Sequence, residues 1–113
     1  MYNIIIALIA SIKHMAAEYS ADALSRLNEL EKIADNYESY NRKDTRYSDM
    51  ANIDRITDSL IIDIQYNFYT DGGIYDKSSA VMAINTVYDI FTAFSNWTYE
   101  MSNNSHSVSD WNT

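Results

Sequence analysis

The sequence contains no proline, and its only two glycines are adjacent, at Gly72 and Gly73. Proline costs about 3 kcal/mol and glycine about 1 kcal/mol inside a helix. A chain that avoids both over nearly its whole length has little to stop a helix once it has started. Its 113 residues suit one domain, and 47% of them are apolar. That supplies one core without help from a metal or a disulfide. The sequence therefore predicts an all-α fold. The expected form is a compact bundle of three long or four shorter antiparallel helices over residues 1–102, followed by a polar C-terminal tail over 103–113.

The first helical stretch spans about Asn3 to Tyr40. Its opening, Ile4 to Ala10, is apolar on all sides. A helix of that kind must be surrounded, at the centre of the fold or beneath a second chain. Ser20 is a candidate N-cap with Asp22 in the turn that follows. A break at Tyr19-Ser20 gives four helices, and continuity gives three. The next segment is amphipathic through Ala23, Leu24, Leu27, Leu30, Ile33, Ala34 and Tyr37. Asp22 and Arg26, and Asn28 and Lys32, sit four apart as on a solvated face.

Residues 39–47 are polar and read as a loop. Ser48 then caps a helix from about Asp49 to Tyr69. Asp71-Gly72-Gly73 ends it, where glycine accepts the left-handed backbone of a helix terminus. Asp76 caps the last helix, from about Lys77 to Met101. After Ser102 the chain loses its periodicity, and such a polar segment is expected to be disordered on its own.

Helical periodicity gives the third segment a main stripe of Met50, Ile53, Ile56, Leu60, Ile61, Ile64 and Phe68. A second apolar group, Ile62, Tyr66 and Tyr69, falls on another side with Arg55 beside it. The last helix has a stripe of Ala80, Ala83, Ile84, Val87, Ile90, Phe91, Phe94 and Trp97. That stripe widens on one flank through Val81, Tyr88 and Tyr99. A simple three-helix core does not consume these extra groups. Extra apolar surface rimmed by acids marks an interaction site. In a four-helix arrangement the second stripes would instead touch further helices.

Sixteen acidic residues oppose eight basic ones, for a net charge of −8. Such a surface repels phosphate backbones and anionic lipid, and it attracts a basic protein surface. The small basic cluster Arg42, Lys43 and Arg46, interleaved with Tyr40 and Tyr47, is outweighed by the rest. Two acidic columns stand out. Asp54 and Asp58 form one, and Glu31, Asp35 and Glu38 form the other. Both are expected on solvent faces, where they would steer a basic partner. The ten tyrosines add contact area with a polar tip.

No constellation for catalysis is present. The chain has no cysteine, so thiolate zinc sites and cysteine nucleophiles are excluded. It has no Glu-x-x-His pair, no phosphate loop and no nucleophile elbow. His14 lies beside an apolar face and reads as a packed residue, and His106 lies in the tail. The sequence therefore predicts no enzyme, no cofactor and no metal site. The apolar run from Ile4 to Ile12 is shorter than the roughly 20 residues that span a bilayer. It also lacks the basic start of a secretory signal. A cytoplasmic setting is expected, that of a host cell if a phage encodes the chain.

These readings converge on a small acidic protein-binding protein. The leading expectation is an inhibitor that occludes a basic functional surface of a larger protein. In broad character the chain is similar to small helical immunity proteins and phage-encoded anti-defence proteins, although no motif of either group is matched. Its abundance of isoleucine, asparagine and tyrosine suits an AT-rich genome such as many phages have. The alternative is a self-assembling helical protein, a homodimer or larger, that pairs the extra apolar stripes with copies of itself.

Overall fold

A computed structural model describes the backbone of residues 1–19, 21–40, 47–70 and 77–111. It describes the side chains of 1–14, 21–38, 50–66 and 77–100. Every described residue except Met1 is helical. The helices are α1 (Tyr2–Tyr19), α2 (Ala21–Tyr40), α3 (Tyr47–Thr70) and α4 (Lys77–Trp111). The open choice at Tyr19-Ser20 is thus decided. α1 and α2 are separate helices, and they pack against each other. One continuous straight helix could not do that. Ser20, Asp71 to Gly73 and Asp76 lie outside the described residues, so their expected capping and turn roles have no structural counterpart here.

Each helix packs on two neighbours, α1 on α2 and α4, and α3 on α2 and α4. Cross-helix contacts fix the directions. Tyr2 pairs with Asp35 and Lys13 with Glu31, so α2 runs back along α1. Arg26 meets Asp63, and Met50 meets Thr98, which makes the next two pairs antiparallel as well. The ring closes where the Tyr2 and Trp97 rings meet, with centroids 6.5 Å apart. The result is an up-down-up-down four-helix bundle.

The core follows the main stripes. α1 contributes Ile5, Ile9 and Ile12, and α2 contributes Ala23, Leu27, Leu30, Ala34 and Tyr37. Ile53, Ile56, Leu60 and Ile64 enter from α3. From α4 come Ala80, Ala83, Val87, Ile90, Ala93, Phe94 and Trp97. Each large side chain here stabilises the fold by about 1.5–3 kcal/mol. At one end Tyr37 reaches across the core to α4. Its ring meets Phe94 at 6.1 Å and 90°, and Trp97 at 5.2 Å and 70°. These are the edge-to-face geometries that aromatic quadrupoles favour.

Four expectations need correction. Ser48 does not stand before α3 as its cap, because the helix begins at Tyr47 and Ser48 lies within its first turn. α1 does not sit at the centre, because a ring of four helices has no central position. It occupies a corner, with Ile4, Ala7 and Ala10 exposed. His14 is exposed rather than packed, since it falls outside the Ile5, Ile9 and Ile12 stripe. Helix α4 does not end near Met101 but continues through residues 103–111. Propagation from a helix already formed adds one hydrogen bond per residue, and residues 102–111 hold no proline or glycine to stop it.

Burial separates the two stripes of α3 sharply, so truncations should separate as well. Leu60→Ala is expected to lower unfolding free energy by about 2–5 kcal/mol. Ile62→Ala, two residues on, should change it by no more than about 0.5 kcal/mol. Chemical denaturation of both variants measures the contrast, and equal losses would mean that α3 is rotated from the orientation described.

Candidate binding face on α3 and α4

Four closed helices leave the second stripes outside. Ile62 is 62% exposed, Tyr66 64%, Tyr88 56% and Tyr99 67%. Val81, Ile4 and Met82 are likewise exposed over half or more of their surface. The four-helix arrangement therefore leaves these extra apolar groups at least half exposed. The described side chains exclude Tyr69, so its expected place beside Ile62 and Tyr66 is neither met nor refuted.

The exposed groups divide between two places. Ile62, Tyr66 and Arg55 lie on the side of α3 opposite its buried stripe, by the helical spacing of three to four residues. On α4, Val81, Ile84, Tyr88, Phe91, Ser95 and Tyr99 follow each other at the same spacing and share one flank. That flank adjoins α3. Between the helices lies a cleft of about 160 Å³ lined by Asp54, Thr57, Asp58, Ile61, Val87, Tyr88 and Phe91. The structure thus joins two features that the sequence kept apart, the Asp54/Asp58 column and the Tyr88 flank.

The local sequence explains the cleft. Asp54, Asp58 and Ile61 sit on the edge of α3 between its buried stripe and solvent. Thr57 lies among them but is buried. Its hydroxyl donates to the carbonyls of Ile53 at 2.9 Å and Asp54 at 3.0 Å, so its polarity is satisfied within the helix. Both aspartates are exposed, and among the described residues neither forms an ion pair. Arg55 is next in sequence, but its guanidinium donates to Asn52 Oδ1 at 2.5 Å.

The other acidic column is placed differently. Glu31, Asp35 and Glu38 face α1 rather than a wholly solvated side. Lys13 Nζ meets Glu31 Oε2 at 3.1 Å. The Tyr2 hydroxyl donates to Asp35 Oδ1 at 2.5 Å. Glu38 joins Asp35, Tyr2 and Asn3 around a shallow, polar depression. Similarly, Arg26 does not pair along its own helix with Asp22. Its Nε donates to Asp63 Oδ2 on α3 at 2.7 Å. Two of the three acids in the α2 column thus tie helices together. Such half-exposed ion pairs are worth roughly 0.2–1 kcal/mol each.

Among the described residues no group of three or more metal-ligating side chains comes together. No helix there is long and apolar enough to cross a membrane. The basic residues Arg42, Lys43 and Arg46, and the side chains of His106 and Trp111, lie outside what the structure describes. No family model matches the chain, and no curated protein or solved structure matches it either.

The Tyr2–Asp35 pair carries a pH signature. The hydrogen bond to Asp35 raises the Tyr2 phenol above its ordinary value of 10.0. Burial and the charges of Asp35, Glu31 and Glu38 add to the rise in that order. A raised folded-state value means that this contribution to stability is complete below the unfolded value and is lost as pH climbs through the folded one. Wild type should therefore exceed Tyr2→Phe in melting temperature at neutral pH, and the gap should close above pH ~10. A gap that stays constant or widens in alkali, in paired thermal melts, would contradict the assigned bond.

Proposed function

We propose that this protein is a binding module that docks, through the α3–α4 face, on a basic surface of a larger protein and occludes it. The observation that carries the reading is the joining of exposed apolar groups to unpaired charge. Tyr88 and its flank stand directly beside Asp54 and Asp58, on a bundle whose core is already complete. Aromatic side chains of this kind anchor interfaces, because they bury much area at a small entropic cost. The carboxylates and the net charge of −8 supply the steering. The ion pairs described tie helices to one another. Among the described residues Asp54 and Asp58 form no ion pair, so in this reading their charge serves a partner.

The role as an inhibitor, of the immunity or anti-defence kind, follows from the same economy of parts. A small acidic chain with tyrosine anchors can act by covering a site, with no chemistry of its own. Self-assembly is the second reading, favoured by Ile62 and Tyr66 on the outward side of α3. There the partner would be another copy, seated away from the cleft.

Hydroxyl-radical footprinting distinguishes these readings by residue. In the dilute purified protein, Tyr66, Tyr88 and Tyr99 should all be modified. Adding an extract of the cells it comes from should protect Tyr88 and Tyr99, and protection should weaken with added salt and with D54N/D58N. If concentration of the pure protein alone protected Tyr66, a self-interface would replace the proposed one. Unchanged labelling of Tyr88 and Tyr99 in the extract would overturn the α3–α4 face as the docking site.

A further inference from the structure

The geometry points to an arginine side chain of the partner as the occupant of the α3–α4 cleft, a refinement that rests on the docking role proposed for that face. At about 160 Å³ the cleft is smaller than the roughly 300 Å³ at which small-molecule and cofactor sites begin. It has room for one long side chain. Ile61, Val87 and Phe91 make an apolar floor, and Asp54 and Asp58 stand at its rim. That combination asks for a methylene stem ending in a cation, which only arginine and lysine provide.

The placement of the rim groups chooses between them. Asp54 and Asp58 are one helical turn apart, about 5–6 Å between their β-carbons. A planar guanidinium with five N–H donors can serve both carboxylates at once, whereas an ammonium is a point charge. Tyr88 also lines the cleft, and an aromatic ring is a surface on which a guanidinium can stack. The only described cation close by in sequence, Arg55, donates to Asn52 instead. The α1–α2 depression supplies an internal comparison. It has two carboxylates, Asp35 and Glu38, but among the described residues its lining is Tyr2, Asn3 and those acids, with no aliphatic side chain. Asp35 is moreover already engaged by Tyr2.

The test is an NMR titration of the isotope-labelled protein with N-acetyl-arginine methylamide, with the lysine analogue as comparator. Shifts should centre on Asp54, Asp58, Ile61, Tyr88 and Phe91, with arginine at least roughly threefold tighter than lysine. D54N/D58N should weaken arginine by at least roughly threefold. Tyr88→Leu keeps the apolar wall and both carboxylates and should reduce the preference over lysine by removing the stacking face, which covers the case of a double variant that fails to fold. Equal affinities for the two probes, or shifts centred on Asp35 and Glu38, would overturn the arginine slot. That failure would leave footprint protection at Tyr88 and Tyr99 intact, whereas loss of that protection with a working slot would instead overturn the docking role.

Discussion

A helix in a ring of four can bury only one stripe, and the rest of this structure depends on that limit. Ile53, Ile56, Leu60 and Ile64 occupy the inward side of α3, so Ile62 and Tyr66 have to face outward. The same rule exposes Ile4 on α1, and Val81, Tyr88 and Tyr99 on α4. The sequence holds more apolar side chains than four inward stripes can take. What is left over is set by helical geometry, and part of it, Val81, Tyr88 and Tyr99, lines one flank of α4 beside α3.

The polar ties make the charge distribution uneven. Lys13–Glu31, Arg26–Asp63 and Tyr2–Asp35 each join neighbouring helices, where they fix register more than they add stability. All three involve α2, which borders both α1 and α3. The α3–α4 seam is held instead by apolar packing and by the Thr98 hydroxyl, which donates to Met50 Sδ at 3.3 Å. Among the described residues Asp54 and Asp58 at that seam form no ion pair. They stand beside Tyr88 and its exposed flank.

Much of this was readable in the residues. Lack of breakers announced helices, and periodicity separated Leu60 from Ile62 and Phe94 from Tyr99 correctly. Other features were not readable. Whether a chain turns at Tyr19-Ser20 depends on tertiary packing, because no glycine or proline marks the spot. The destination of Glu31 and Asp35 depended on which helix lay alongside, and a column of acids looks the same whether it faces water or Lys13 and Tyr2. Ala93 was missed from the core since it lies at the edge of the α4 stripe, where only the close approach of a neighbouring helix buries it. The Asp54–Tyr88 cleft, likewise, exists only through the register of α3 on α4, which no local pattern encodes.

The most direct measurement is the solution mass of the purified protein by light scattering over a wide concentration range. If the apolar flank of a single bundle is exposed and awaits a different protein, the mass should be 13.0 kDa and should not change with concentration. A stable dimer or larger assembly that persists on dilution and shields Tyr88 and Tyr99 would mean that copies of the chain already cover this surface, and would contradict that reading.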